Sequence, residues 1–247
     1  VKTVQDVLEK ALAEVATVTV RVHCAGRTDS GVHGFAQIIH FDAPVTRSSK
    51  AWVLGANANL PFDVRVHWAV AVSAEFHARF TALARRYRYL IANTPVRPAL
   101  LGNQVTWQRR PLDECLMHEQ AQCLLGEQDF SAFRAASCQS TSPMRNVHSI
   151  DVTRRGDLVI LDIKANAFLH HMVRNIAGSL MAVGAGRKSR GWLVDLLAGR
   201  DRSAAGDTAP ADGLYLVEVE YPDHFELPPT PYGPLLLGES PTGAGKA

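Results

Sequence analysis

Apolar residues return at helical spacing in several parts of the chain and predict helices there. The first set follows Thr3, which is placed to cap a helix. Its members are Val4, Val7, Leu8, Ala11, Leu12 and Val15. The same spacing predicts further helices at residues 49–58, 113–125, 169–183 and 192–198. We therefore expect a helix as the first element of the chain.

Alternation of apolar and polar residues predicts strands between these helices. The predicted strands cover residues 17–24, 36–42, 63–72, 85–92 and 213–221. Residues 146–165 alternate as a hairpin that turns at residues 155–157, where a glycine follows an arginine. A polar, glycine-rich loop at residues 25–34 separates the first two strands.

The order of these elements predicts an α+β protein with a mainly antiparallel sheet. The second half follows the order strand, strand, helix, helix, strand, and we expect two ferredoxin-like halves that share the sheet. The first half begins with a helix where such a unit begins with a strand, so its first strand is expected to be missing. We expect an N-terminal half at residues 1–95, a C-terminal half at residues 96–225, and an extended surface tail at residues 226–247.

Composition places the chain among soluble globular proteins. Its 247 residues are 47% hydrophobic, which is enough for a sizeable core. No apolar stretch approaches the roughly 18 residues that span a membrane, and the charged N-terminus does not resemble a signal peptide. We therefore expect a cytoplasmic protein. The four cysteines form no CxxC pair, which predicts reduced thiols and no zinc site.

Charge is distributed unevenly although its formal sum is only +2. Residues 76–112 carry no acidic residue and seven arginines, which are Arg79, Arg85, Arg86, Arg88, Arg97, Arg109 and Arg110. Such a stretch could attract a polyanion. An equally good interpretation is that the fold pairs these arginines with carboxylates from elsewhere in the chain.

The loop AGRTDSGVHG at residues 25–34 contains several polar side chains that could take part in catalysis. Its glycines allow positive φ and a close approach to a ligand. Asp29 is a candidate nucleophile or base, and Arg27, two positions away, could favour its charged form. The alternative is a surface turn in which Asp29 binds backbone amides only.

This loop resembles the signature loop of the TruA family of tRNA pseudouridine synthases, in which GRTD is followed by a small residue and GVH. Further segments agree in order and spacing along nearly the whole chain. They are NANLP at 57–61, FHARF at 76–80, ARRYRY at 84–89, GEQDFSAF at 126–133, the pair at 145–146, FLHHMVRNIAGSL at 168–180 and GLYLVEVEYP at 213–222. Ser30 in place of the commoner alanine is a small departure.

The resemblance implies that the protein is an isomerase acting on uridines 38, 39 and 40 in the anticodon stem-loop of tRNA. Asp29 would attack the target uridine, and the base would be reattached through carbon. Arg174 would pair with that carboxylate, Tyr87 would pack on the target base, and Arg27 would help to hold the flipped nucleotide. Arg85 shares a strand face with Tyr87 and is expected near the flipped base.

The family also implies a homodimer, no metal and no organic cofactor. His170 and His171 invite a metal interpretation, but neighbours on a helix point apart and no third ligand stands at useful spacing, which favours packing or RNA contact. The family normally has a strand with a Gly-Trp-Gln motif before the first helix. Two alternatives stay open: a relative that modifies other RNA positions, and an RNA-binding module without catalysis.

Overall fold

The computed structural model describes residues 3–238, which form two compact units. The first unit comprises the chain up to Arg27, then Gln37–Ala82 and Tyr221–Pro231. The second comprises Thr28–Ala36, Leu83–Glu220 and the described residues from Tyr232 onward. The expected division at residues 95 and 225 stays a prediction. Within residues 3–238, no helix combines the length and apolarity that a membrane crossing needs.

The described residues contain helices and strands in both units, and the long strands lie in the second unit. The helices are α1 (Val4–Ala16), α2 (Ser49–Asn59), α3 (Glu114–Ala121), α4 (Met172–Gly184) and α5 (Trp192–Gly199). The strands are β1 (His23–Cys24), β2 (His33–Gly34), β3 (Ile39–His40), β4 (Ala84–Ala92), β5 (Thr106–Trp107), β6 (Gly126–Asp129), β7 (Met144–Arg155), β8 (Leu158–Ala165) and β9 (Leu214–Glu220). All five predicted helices are present.

The first helix begins where its sequence predicts. The Thr3 hydroxyl accepts a hydrogen bond from the Asp6 amide at 3.1 Å, and the Asp6 carboxylate accepts one from the Thr3 amide at 3.0 Å. This reciprocal cap satisfies two amides that the helix leaves free. The buried face of α1 packs against α2 through Leu8, Leu12 and Trp52, which form the core of the first unit.

Three predicted strands of the first unit are wrong or much shorter than predicted. Residues 17–24 form a strand only at β1, residues 36–42 only at β3, and residues 63–72 form none. Their alternation still governs burial, since Val20 and Val22 are buried and Val64 and Val66 pack against the same core. Alternation encodes which face is buried, whereas a strand also requires ladder hydrogen bonds from a neighbour.

The second unit is built on a seven-stranded sheet in the order β2-β9-β4-β8-β7-β6, with β5 beside β4. Only the β2/β9 and β4/β5 pairs are parallel among these strands, so the predicted antiparallel character is confirmed. The predicted hairpin is β7 and β8, which turn at Gly156 with φ of 55°.

Helix α4 is the buried helix of this unit and contacts α3. It begins at Met172, three residues after the predicted start, because His171 adopts φ of 62° and interrupts the helical backbone. Gly178 allows the loop at residues 205–209 to approach closely, since a Cβ at this position would collide with the carbonyl of Asp207.

Part of the segment expected as an extended surface tail packs onto the sheet instead. Leu237 is buried, and Tyr232 packs against the same cluster, which includes Leu90 and Ile160. Arg155 donates hydrogen bonds to the Leu237 carbonyl at 2.9 Å and to the Tyr232 hydroxyl at 3.0 Å. Residues 239–247 of the expected tail lie outside the described residues. The four cysteines are free thiols in the structure.

Candidate active site

The part of the glycine-rich loop that carries Asp29 is anchored to the sheet of the second unit. Strand β2 pairs with β9 so that His33 lies opposite Tyr215. The two rings stack with centroids 4.4 Å apart, and His33 Nε2 lies 3.0 Å from the Asn103 carbonyl and 3.1 Å from the Asp212 carbonyl. Burial raises the pKa of Tyr215 to about 12, so its hydroxyl stays protonated beside the loop.

A tight turn holds the backbone of Asp29 itself. The Val32 amide donates to the Asp29 carbonyl at 3.1 Å, and Gly31 adopts φ of 86°. A Cβ on Gly31 would also come within 3.1 Å of the Ala211 side chain. Glycine is therefore needed here for both conformation and space.

Three cationic or imidazole side chains converge on the Asp29 carboxylate. Arg174 Nη1 lies 2.9 Å from Oδ2, and His171 Nε2 lies 3.1 Å from the same oxygen. His170 Nε2 lies 3.2 Å from Oδ1. The Asp29 side chain is still 28% exposed, so a substrate can reach it. The predicted pairing of Arg174 with Asp29 is present in the structure.

Arg174 is fixed at several points. Its Nε donates to the Ala209 carbonyl at 2.8 Å, and the Ala209 amide donates to the Arg174 carbonyl at 3.1 Å. The next residue, Asn175, is fully buried and accepts a hydrogen bond from Arg202 at 3.0 Å. The guanidinium is therefore aimed at Asp29 before any substrate arrives, which is the preorganisation that electrostatic catalysis needs.

The interpretation of His170 and His171 requires correction. They precede α4 rather than lie on it, and the φ of 62° at His171 turns both rings to the same side, with centroids 4.0 Å apart. The sequence analysis predicted no third metal ligand near the two histidines. Asp29, which is distant in sequence, supplies such a group. Donor atoms of these three residues all lie within 4.8 Å of one another, a spacing that a transition-metal ion could use.

Arg174 already compensates the charge of the carboxylate in this cluster. A metal ion would have to compete with that guanidinium for Oδ2. Burial lowers the pKa of His171, and the neighbouring His170, Arg174 and Arg202 lower it further, against the opposing effect of Asp29. A neutral His171 can donate one hydrogen bond to the carboxylate without adding charge.

Tyr87 and Arg85 lie on β4 and contact the segment that leads to the histidines. The Tyr87 ring meets the Phe168 ring edge to face at 5.1 Å, and Arg85 Nη1 donates to the Asn166 carbonyl at 3.1 Å. The predicted shared face of Arg85 and Tyr87 is thus consistent with their contacts. Leu216 of β9 is the register partner of both Tyr87 and Gly34. Two strand spacings, roughly 10 Å, therefore separate Tyr87 from the end of the loop.

Arg27 is exposed and belongs to the first unit. Its predicted role in holding the nucleotide stays a prediction, as do the predicted roles of Tyr87 and Arg85. Arg79, Arg97, Arg109 and Arg110 are also exposed.

For Arg86 and Arg88, the structure favours the second interpretation of the arginine-rich stretch, in which the fold pairs arginines with carboxylates from elsewhere in the chain. Arg86 donates twice to Asp162, at 2.6 and 3.0 Å, and Arg88 Nε lies 2.7 Å from the same carboxylate. Arg88 is buried and lies over the Tyr232 ring at 4.0 Å. Asp162 on one neighbouring strand pairs with both arginines, and Glu218 on the other lies 3.6 Å from Arg86, so two carboxylates balance the two guanidinium charges.

Comparison with known proteins agrees with this site. The family model described as tRNA pseudouridine synthase matches residues 1–81 and 120–222. The tRNA pseudouridine synthase A of Citrobacter koseri is 57% identical over 239 residues, which cover 97% of this chain and 88% of that protein. The tRNA pseudouridine synthase A of Vibrio campbellii is 57% identical over 240 residues, with 97% and 91% covered.

Proposed function

Because this chain belongs to the tRNA pseudouridine synthase family, we propose that it isomerises uridine to pseudouridine in tRNA with Asp29 as the catalytic carboxylate. The observation that carries the proposal is the ion pair of Asp29 with Arg174 at 2.9 Å on a loop anchored to the sheet. A carboxylate held in this way is a nucleophile with a fixed direction of attack.

The reaction is an isomerisation and needs no external reactant. The bond between the ribose C1′ and the base N1 breaks, and a bond between C1′ and C5 forms. The proton lost from C5 is balanced by the proton gained at N1. Asp29 supplies the covalent partner that holds the separated fragment, either the base or the ribose. Arg174 stabilises the carboxylate when it leaves.

Other side chains have roles that follow from the family resemblance. Tyr87 packs on the flipped base, because a phenol ring stacks on a pyrimidine while its hydroxyl can move a proton. Arg85 and Arg27 hold the nucleotide through its phosphates. The exposed arginines extend this contact along the tRNA backbone.

The substrate is the anticodon stem-loop of tRNA, modified at positions 38, 39 and 40. The names of the relatives support tRNA as the substrate, and the position is proposed from the resemblance of the signature loop. We also propose a cytoplasmic homodimer in which one tRNA touches both subunits, with a fold of two ferredoxin-like halves. A primer-extension map of modified tRNA would show reaction stops at positions 38–40, and stops elsewhere would contradict this specificity.

Tritium release from tRNA labelled at uracil C5 tests the function directly, because each isomerisation frees the C5 hydrogen. The chain should release tritium in proportion to the pseudouridine formed. Binding of tRNA without release would contradict the proposal and would favour an RNA-binding module without catalysis.

A further inference from the structure

The two oxygens of the Asp29 carboxylate have different surroundings. Oδ2 receives Arg174 Nη1 at 2.9 Å and faces His171 Nε2 at 3.1 Å. Oδ1 is approached by His170 Nε2 at 3.2 Å. A carboxylate oxygen offers two lone pairs. Oδ2 accepts the Arg174 hydrogen bond and has His171 Nε2 close beside it, whereas His170 is the one close polar neighbour of Oδ1 among the described residues, so Oδ1 is the less crowded oxygen for a bond to the substrate.

His170 is itself held on both sides by the segment at residues 135–138. The Ala135 amide donates to the His170 carbonyl at 3.1 Å, and the His170 amide donates to Cys138 Sγ at 3.4 Å. The Ser137 hydroxyl lies 3.0 Å from His170 Nδ1. Both ring nitrogens therefore have a partner, and the ring plane is fixed between Ser137 and Asp29.

The chemistry of these partners selects one tautomer of the neutral ring. An ionised carboxylate only accepts hydrogen bonds, so His170 Nε2 has to carry the proton. Nδ1 then has a lone pair and accepts from the Ser137 hydroxyl. The chain of donation runs from Ser137 to His170 and from His170 to Asp29 Oδ1.

We propose that His170 is a positioning residue that sets the rotation of the Asp29 carboxylate and leaves Oδ1 as the attacking oxygen, with Ser137 selecting the tautomer. This inference rests on the proposed function for its kinetic consequence. Arg174 anchors Oδ2, which fixes one end of the carboxylate. His170 fixes the other end, and a rotated carboxylate would present its free lone pair away from the substrate.

Matched substitutions at position 170 test this role. His170→Leu removes the donor to Oδ1 and should lower the single-turnover rate by about 10-fold to 100-fold, as misplaced catalytic groups do. The KM for tRNA should change less than about twofold, because affinity comes from many phosphate contacts. His170→Gln places an amide N–H near the position of Nε2 and should restore the rate to within about threefold of wild type. The exposed His148 supplies a control, and His148→Gln should leave the rate unchanged.

Two kinetic outcomes would overturn the inference. One is an unchanged rate in His170→Leu. The other is that His170→Gln and His170→Leu lose the single-turnover rate equally and raise the KM for tRNA equally. That result would make His170 an RNA contact. A wild-type protein that released no tritium would instead contradict the proposed function itself.

A spectroscopic measurement tests the tautomer without any activity. In ¹⁵N-labelled protein, at a pH at which the His170 ring is neutral, long-range ¹H–¹⁵N correlations should show the ring proton on Nε2. Ser137→Ala should move the Nδ1 resonance and leave the other assigned histidines unchanged. A proton on Nδ1 of the neutral His170 ring would overturn the inference even if every variant folded and turned over tRNA.

Discussion

At the scale of the residue, a small number of side chains fix the position of the Asp29 carboxylate. Arg174 is bound to Asp29 through Nη1 and to the Ala209 carbonyl through Nε, so one guanidinium joins the carboxylate to the backbone of a loop. A planar guanidinium can make both bonds at once, whereas a lysine ammonium on a single stem cannot reproduce that fork.

Arg174→Met should therefore lower the rate of isomerisation more than the affinity for tRNA. The variant removes the charge that stabilises and orients Asp29, and we expect a loss of roughly 100-fold or more in the single-turnover rate. Arg174→Lys should recover only part of that loss. Single-turnover tritium release and filter binding measure the two quantities separately. Weakened binding with an unchanged rate would place Arg174 on the RNA-contact surface.

The sequence analysis identified Asp29 and Arg174 but misjudged the two histidines that contact Asp29. The resemblance of the loop and of the segment at residues 168–180 pointed to the first pair. His170 and His171 were judged by helical spacing, although the helix begins only at Met172. The positive φ of His171 has no marker in the sequence, since it is not a glycine. The adjacent pair of imidazoles just before the helix was the available signal.

At the scale of the element, β4 separates two kinds of arginine on its two faces. Arg85 contacts the segment next to the histidines, whereas Arg88 is buried against Asp162. Alternation along the strand places Arg85 and Arg88 on opposite faces, but it could not show that β8 places a carboxylate on one of them. The tertiary fold determines which strand pairs with β4. The sequence of an arginine-rich strand therefore does not reveal whether its arginines bind phosphate or a buried aspartate.

Substitutions along β4 should separate these effects. Arg88→Ala leaves the Asp162 carboxylate, only 16% exposed, with a weakened ion pair, and should lower the free energy of unfolding by about 3 kcal/mol. Arg85→Ala should lower turnover and affinity with a much smaller effect on stability. Urea unfolding and tritium release measure the two properties. In the double variant Arg88→Ala, Asp162→Ala, the loss of stability should be smaller than the sum of the single losses. Additive losses would show that the pair is not coupled.

Helix α4 provides a second test at this scale. An alanine inside a helix normally stabilises it by about 1 kcal/mol relative to glycine. Gly178→Ala should have the opposite effect, because the added Cβ meets the carbonyl of Asp207 and displaces the loop that holds Arg174. Gly199→Ala, at the open end of α5, is the matched control and should be neutral or stabilising. A Gly178→Ala variant as stable as wild type would show that the loop can move away freely.

At the scale of the whole molecule, both units contain a histidine with a lowered pKa. In the first unit, burial lowers the pKa of His40, and the nearby rings of His77 and His23 lower it further, against the opposing effect of Asp42. In the second unit, burial lowers the pKa of His171. Unfolding returns each histidine to its ordinary pKa of about 6.5.

The unfolded chain therefore takes up protons before the folded chain as the pH falls below about 6.5, so the free energy of unfolding should decrease with falling pH. Urea unfolding at pH 7.5 and 5.5 measures this, above the range in which carboxylates titrate. The Ala78 amide donates a hydrogen bond to His40 Nδ1 at 3.1 Å. His40→Asn keeps an acceptor for that amide. This variant should show a smaller decrease, and an identical decrease would exclude His40 as a source.

The sequence predicted the second unit more fully than the first. Strands β4, β7, β8 and β9 are long and find their partners within the described residues, so alternation and pairing agree. In the first unit, residues 17–22 and 63–72 alternate without forming a ladder. Helix caps and buried faces are local properties that a sequence carries, whereas pairing depends on which strand lies alongside.

The central claim is that the Asp29 side chain performs the chemistry, and single-turnover tritium release from Asp29→Ala and Asp29→Asn tests it most directly. Both variants should bind tRNA with nearly the wild-type Kd, because affinity comes from many phosphate contacts. The rate of release should fall by more than about 100-fold, because neither an alanine methyl group nor an asparagine amide can replace the carboxylate as the nucleophile. Release from Asp29→Ala at more than about a hundredth of the wild-type rate, with binding intact, would contradict the account.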